Sequence, residues 1–212
     1  MHIYNPQEYP NLLPEISLTS EEIMNLVSGY NLSFFHERNR EVEWEIKLPM
    51  FVVAFYAYII ENQTIPNQEE FFNFYLQYNK AFFDNLNRPD LESGIMARAY
   101  RTYPSLVRDI HFNKFIEEKL GSKCQVIYNT WLDIVEGIDL MVITKKNYYG
   151  VCFFTNTRRA YTGRKAKEHR HTLFDNVKYV EMPMEFEGSV KAGDFFLYGE
   201  KEYNELYNIL SK

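Results

Sequence analysis

Two short apolar runs, residues 138–144 and 149–155, flank the polar tripeptide Lys145-Lys146-Asn147. Runs of this length, rich in β-branched and aromatic side chains and joined by a polar turn, read as a β-hairpin. The hairpin fixes the character of the second half of the chain, because the neighbouring segments then read as partners for it. Strands are expected at residues 124–128, from 131 to 135 or beyond, at 177–182 and at 194–199. A helix is expected over 103–120. Pro104 suits a first turn, Leu106, Val107, Ile110, Phe115, Ile116 and Leu120 supply an apolar face, and Gly121 stands where a left-handed cap belongs. A basic helix over 163–175 and a terminal helix over 200–210 complete this half.

The first hundred residues carry a different periodicity. Thr19-Ser20-Glu21-Glu22 offers a capped start for a helix that Gly29 stops. A longer helix is expected over 41–61. A third follows Pro66-Asn67-Gln68-Glu69 and carries Phe71, Phe72, Tyr75, Leu76, Tyr78, Phe82 and Phe83 at three- and four-residue spacing. Such a stripe is a core-packing face rather than a base-stacking surface. The division reads as a helical region over residues 1–100 and an α/β domain over 101–212.

Composition excludes several classes. With 46% hydrophobic and 17% aromatic residues the chain supports a buried core and is not disordered. Its most apolar stretch, residues 50–60, is too short to span a bilayer, so no membrane contact is expected. The amino terminus shows neither a basic nor an apolar signal region, which points to the cytoplasm. Cys124 and Cys152 are too few for a disulfide framework or a zinc-ligand series. The net charge of −6 is uneven, because residues 157–171 hold Arg158, Arg159, Arg164, Lys165, Lys167 and Arg170 against Glu168 alone. That window is +5 and leaves −11 for the rest, so anionic ligands are focused on one place. His169 and His171 stand two apart and do not share a helix face, which disfavours a zinc pair.

Gly137-Ile138-Asp139 at the head of one hairpin strand, Tyr149-Gly150-Val151 in the other, the helix before them and the basic helix after them together resemble the core of the PD-(D/E)xK nuclease superfamily. The likeness spans roughly residues 103–182. It implies a restriction endonuclease-like mixed sheet flanked by helices, here with an N-terminal helical extension, and a restriction, phage or defence setting. In that family an Asp and a Glu-x-Lys pair converge at the sheet edge, where two carboxylates hold Mg²⁺ and a lysine supports the attacking water. Asp139 matches the first carboxylate and is the implied metal ligand. Cys152 and Phe154 occupy the Glu and Lys positions, and neither a thiol nor a phenyl ring replaces them.

An active site on this plan needs Mg²⁺, with Lys165 or Lys167 as the migrated lysine and a second carboxylate from Asp109, Glu117, Glu118 or Glu136. Without that rescue the same edge binds DNA, RNA or a nucleotide and does not cut. Arg158, Arg159, Arg164, Arg170 and His171 are the candidate phosphate contacts. Arg108 joins them from the 103–120 helix, where it shares a face with His111 and Arg101 has room to fold back toward it. Cys152, flanked by Val151, Phe153 and Phe154, reads as a buried and unreactive thiol. A different class stays open. The chain is then a non-enzymatic interaction subunit that uses the fold as a scaffold and meets a protein partner, or a second copy of itself, through the aromatic helical half.

Overall fold

A computed structural model describes residues 10–158, 161 and 174–211. It is a mixed α/β structure with an N-terminal helical region, a four-stranded mixed sheet, a small hairpin and a C-terminal helix. Helix α1 (Ser20–Ser28) starts as its sequence dictates: the Thr19 side chain accepts from the Glu22 N–H, and the Glu22 carboxylate accepts from the Thr19 N–H at 2.8 Å.

The helix expected over 41–61 is instead two pieces. A π-helical turn (Glu41–Glu45) is followed by extended chain and then α2 (Phe51–Asn62). Pro49 explains the break, since it has no N–H to donate and forces the residue before it out of helical geometry. The third expected helix also divides, at Asn79, into α3 (Gln68–Tyr78) and α4 (Lys80–Leu86). The Asn79 side-chain amide donates to the Tyr75 carbonyl at 2.9 Å and so competes with the helical ladder.

Helix α5 (Glu92–Leu120) begins eleven residues before the expected start and runs straight through Pro104. The proline ring denies the Tyr100 carbonyl its usual helical donor. That carbonyl accepts instead from the buried Gln68 side-chain amide at 3.2 Å. Pro104 is therefore an interior residue tolerated through α3, not a helix start. The boundary drawn between residues 100 and 101 falls inside α5.

The sheet contains β1 (Gln125–Ile127), β2 (Leu140–Ile143), β3 (Tyr148–Thr155) and β4 (Val177–Met184) in that spatial order. The first three are antiparallel, with Leu140 opposite Val151, and β4 runs parallel to β3, with Val151 opposite Val180. The expected strand over 131–135 is a helical turn, Leu132–Glu136. The Asn129 side chain caps it by accepting from the Leu132 N–H at 2.8 Å, and Gly137 ends it at φ +67°. A hairpin of β5 (Val190–Ala192) and β6 (Phe195–Leu197) precedes α6 (Glu200–Leu210).

Two cores share α5. Its first two thirds pack with α1, α2 and α3, where Tyr103 is fully buried among Phe55, Phe71 and Phe195. Its last turns place Phe112, Ile116 and Leu120 on the sheet face made by Leu140, Val142, Val151, Phe153 and Met182, with Tyr198 and Leu206 closing the side. Burying each of these large side chains stabilises the fold by roughly 1.5–3 kcal/mol. Ile138 and Met141 pack on the opposite face. Among the described residues no helix is long and apolar enough to cross a membrane.

Candidate functional site

Asp139 owes its place to the glycine before it. Gly137 reverses the chain out of the 132–136 turn, and two residues later the Asp139 N–H donates to the Val151 carbonyl at 3.0 Å. Asp139 thus extends β2 by one residue and, by register, stands opposite Cys152. Its own Oδ2 accepts from the Phe153 N–H at 2.6 Å. The carboxylate is fixed by backbone at the point where β2 begins and β3 is about to end.

Of the second carboxylates that the sequence offered, two are committed elsewhere. Glu118 accepts from the Ser20 N–H at 2.8 Å and ties α1 to α5, while Glu117 lies 3.2 Å from the Lys114 ammonium. Glu136 is 4% exposed, with its Oε2 lacking a partner among the described residues, and burial raises its pKa. Its charge acts on Tyr179, which also feels Cys152. Asp109 is the one that feels the charge of Asp139. Burial raises its pKa well above the ordinary carboxylate range, the Arg108 guanidinium opposes that, and the charges of Asp139 and Asp133 push it further up.

Two tyrosines from different elements feel Asp109 and Asp139, and one of them feels Asp133 as well. Tyr56 of α2 is held protonated first by burial and then by Asp133, Asp109 and Asp139. Tyr198, just before α6, is held protonated by burial and by Asp109 and Asp139, against Arg108. Its hydroxyl donates to the Phe154 carbonyl at 3.3 Å, and the Arg108 guanidinium lies 5.5 Å from its ring centre. The Arg108 Nε is 3.7 Å from the Asp109 Oδ1, and the residue is only 7% exposed. Arg108 therefore stands behind the carboxylates as an internal counter-charge.

The two hairpin positions that differ from the nuclease pattern are both buried. The Cys152 thiol donates to the Gly137 carbonyl at 3.1 Å, and the Phe154 ring meets Tyr161 edge-on with centres 5.0 Å apart. Arg158 is exposed shortly after β3. Arg159, Arg164, Lys165, Lys167, Arg170 and His171 lie outside the described residues, as does the expected helix over 163–175. Arg101 does not fold back toward Arg108. It pairs with Glu43 and donates to the Glu37 carbonyl at 2.9 Å, on the helical region. His111 is 4% exposed, stacks on Phe115, and is pushed down to about 4 by burial.

Sequence reasoning missed Asp133, Tyr56 and Tyr198. Asp133 was hidden by the strand expected over 131–135, although Asn129 and Gly137 are the cap and stop of a helical turn and point to it. The tyrosines carry no local signal, since only tertiary packing brings them to Asp139. The oxygen donors of Asp109, Asp133 and Asp139 suit a hard cation such as Mg²⁺, yet no group of three or more His, Cys, Asp or Glu side chains among the described residues is gathered closely enough to hold a metal ion. The arrangement is a buried acid, Asp109, that feels the charges of Asp139 and Asp133 and is opposed by the buried Arg108. No protein-family model, no curated protein and no solved structure matches the chain.

Proposed function

We propose that the chain is a nucleic-acid-binding protein of the PD-(D/E)xK, restriction endonuclease-like build. It takes the phosphate backbone of DNA or RNA at the end of the sheet marked by Asp139, and it does not run the ordinary two-carboxylate and lysine cleavage. The observation that carries this is the sheet itself: an antiparallel β1–β2–β3 with β4 parallel to β3, and Asp139 in register with Cys152 at the head of the central hairpin. In the resembled family the phosphate-handling edge lies at that end, and Arg158 leaves β3 there. Buried Cys152 and Phe154 argue against the familiar chemistry, since neither ligates Mg²⁺ nor supports a water.

The charges of Asp139 and Asp133 repel a phosphate, so the backbone is held by the basic stretch from Arg158 to His171. Arg108 lowers the field of the acids from behind. The setting that fits is a restriction, phage or defence system inside the cell. A protein-interaction subunit is less well supported, because Phe71, Phe72 and Tyr75 of the aromatic stripe are buried rather than presented.

One observation favours a second reading, an atypical cation-dependent phosphodiesterase. Asp109 Oδ1 is buried without a hydrogen-bond partner among the described residues, and the Asp139 and Asp133 charges raise the pKa of the group. A divalent cation relieves that repulsion. Asp109 and Asp139 are the residues to hold it, and it supplies charge neutralisation at a phosphate oxygen.

The test incubates the protein with DNA and with RNA in Mg²⁺ or Mn²⁺. Binding without cleavage is the expected result. Cleavage that disappears in both Asp139→Ala and Asp109→Asn establishes the second reading, and cleavage that survives both places the chemistry elsewhere.

A further inference from the structure

The turn end of the central hairpin lies at the other end of β2 from Asp139, about 17 Å away at the usual rise per strand residue. There a cleft of about 320 Å³ opens between the hairpin turn and the ends of α5 and α6. Its lining combines apolar Leu120, Leu210 and Tyr207 with the three lysines Lys123, Lys145 and Lys146 and the small polar side chains of Thr144, Asn147 and Ser211. Among the described residues no acid lines it. None of the three ammonium groups has an acidic partner among the described residues, in contrast to Lys80, Lys114, Lys119 and Lys201, which are all paired.

The lysines are set on ordered turns. The Thr144 hydroxyl accepts from the Asn147 N–H at 3.0 Å and donates to the Asn147 carbonyl at 3.1 Å, which fixes the loop bearing Lys145 and Lys146. Lys123 follows Gly121, whose φ of +51° turns the chain out of α5. The carboxyl ends of α5 and α6 both point here, and each carries about half a negative charge. Together they offset roughly one of the three lysine charges, leaving an excess near +2. A phosphate monoester carries about −1.5 to −2 at neutral pH. Tyr207 adds a ring that is 40% exposed, a stacking surface for a base.

We propose that this cleft binds a nucleotide with a terminal phosphate, the phosphate on Lys123, Lys145 and Lys146 and the base against Tyr207. The source is either a free mononucleotide or the phosphorylated end of a strand, since both present the same chemistry. The site is separate from the Asp139 edge and does not rest on the nuclease-like reading.

Calorimetric titration of the full chain at low salt tests it, with adenosine 5′-monophosphate, adenosine and inorganic phosphate as probes. Adenosine 5′-monophosphate is expected to bind, with adenosine and phosphate each at least about tenfold weaker. Replacing all three lysines by Ala should abolish binding while leaving the melting temperature unchanged, and Tyr207→Leu should weaken it about tenfold, the scale of one stacked base. Asp139→Ala with Arg158→Ala should leave it unaltered, which separates this site from the backbone-binding edge. Two further probes, oligonucleotides with a 5′-phosphate or a 5′-hydroxyl, identify the source. Tighter binding of the 5′-phosphate strand than of its 5′-hydroxyl counterpart, lost in the lysine variant, points to strand ends, and equal binding of the two strands points to free nucleotide. The proposal fails if nothing binds at low salt, if phosphate alone binds as well as the nucleotide, or if the lysine variant binds like the wild type.

Discussion

Arg108 is buried beside Asp109, and its guanidinium is the positive charge that acts on that acid. Removing one partner of a buried ionic group leaves the others uncompensated, which costs on the order of 3–5 kcal/mol. Arg108→Met, which keeps most of the side-chain volume, is therefore expected to lose about 3 kcal/mol of unfolding free energy at pH 8. Without the guanidinium the folded-state pKa of Asp109 rises further above its unfolded value, so stability falls as pH increases through that range. The loss should be smaller at pH 5 than at pH 8, as urea unfolding at the two pH values will read. His111 has the opposite linkage. Burial depresses its pKa to about 4 from the ordinary 6.5, so the unfolded chain binds the extra proton. The contribution is complete above pH 6.5 and is lost as pH falls toward 4, on the order of 3 kcal/mol in all. His111→Leu should flatten stability across that window, and an unchanged pH profile rules the linkage out.

Elements show where glycine and proline decide the path. Gly193 turns β5 into β6 at φ +58°, and a Cβ there meets the Ser28 carbonyl oxygen at 2.5 Å. Gly121 also has a positive φ, but nothing lies within 4 Å of its Cβ position. Gly121→Ala should thus cost only the backbone term, about 1–3 kcal/mol for a conformation that L-residues rarely adopt, whereas Gly193→Ala adds a backbone clash with α1 and should cost more than Gly121→Ala. Chemical denaturation of the two variants measures the difference, and equal losses would mean that the hairpin does not press on α1. The same scale explains what was legible in sequence. The hairpin, its Lys145-Lys146-Asn147 turn, the capped start at Thr19 and the terminal helix follow from local pattern alone. Pro104 misled, because its tolerance inside α5 depends on Gln68, far earlier in the chain. Residues 131–135 misled because a short apolar run fits either a strand or a buried helical turn, and the deciding residues, Asn129 and Gly137, lie outside the run. Asp139 was singled out through the resemblance to the nuclease hairpin, since a Gly-x-Asp before an apolar strand is by itself an ordinary strand entry. Its relation to Asp109, Asp133, Tyr56 and Tyr198 arises from the packing of several elements and has no local trace.

At the scale of the molecule, α5 joins a helical core to a mixed sheet, and the sheet presents different chemistry at its two ends. One end holds Asp109 beside Arg108, with the exposed Arg158 leading into the basic stretch, and the other sets three lysines around a partly apolar cleft. An overall charge of −6 is compatible with the proposed anion binding, because the field is local. The most direct measurement is the affinity for labelled DNA and RNA as a function of salt, for the wild type and for Arg158→Ala combined with Arg164→Ala. The expected result is a linear fall of log affinity with log salt concentration. The double variant should bind more weakly, its slope on duplex DNA shallower by about 0.9 for each phosphate it no longer neutralises. Absence of binding at low salt, or binding that the double variant leaves unchanged, contradicts the backbone-binding function.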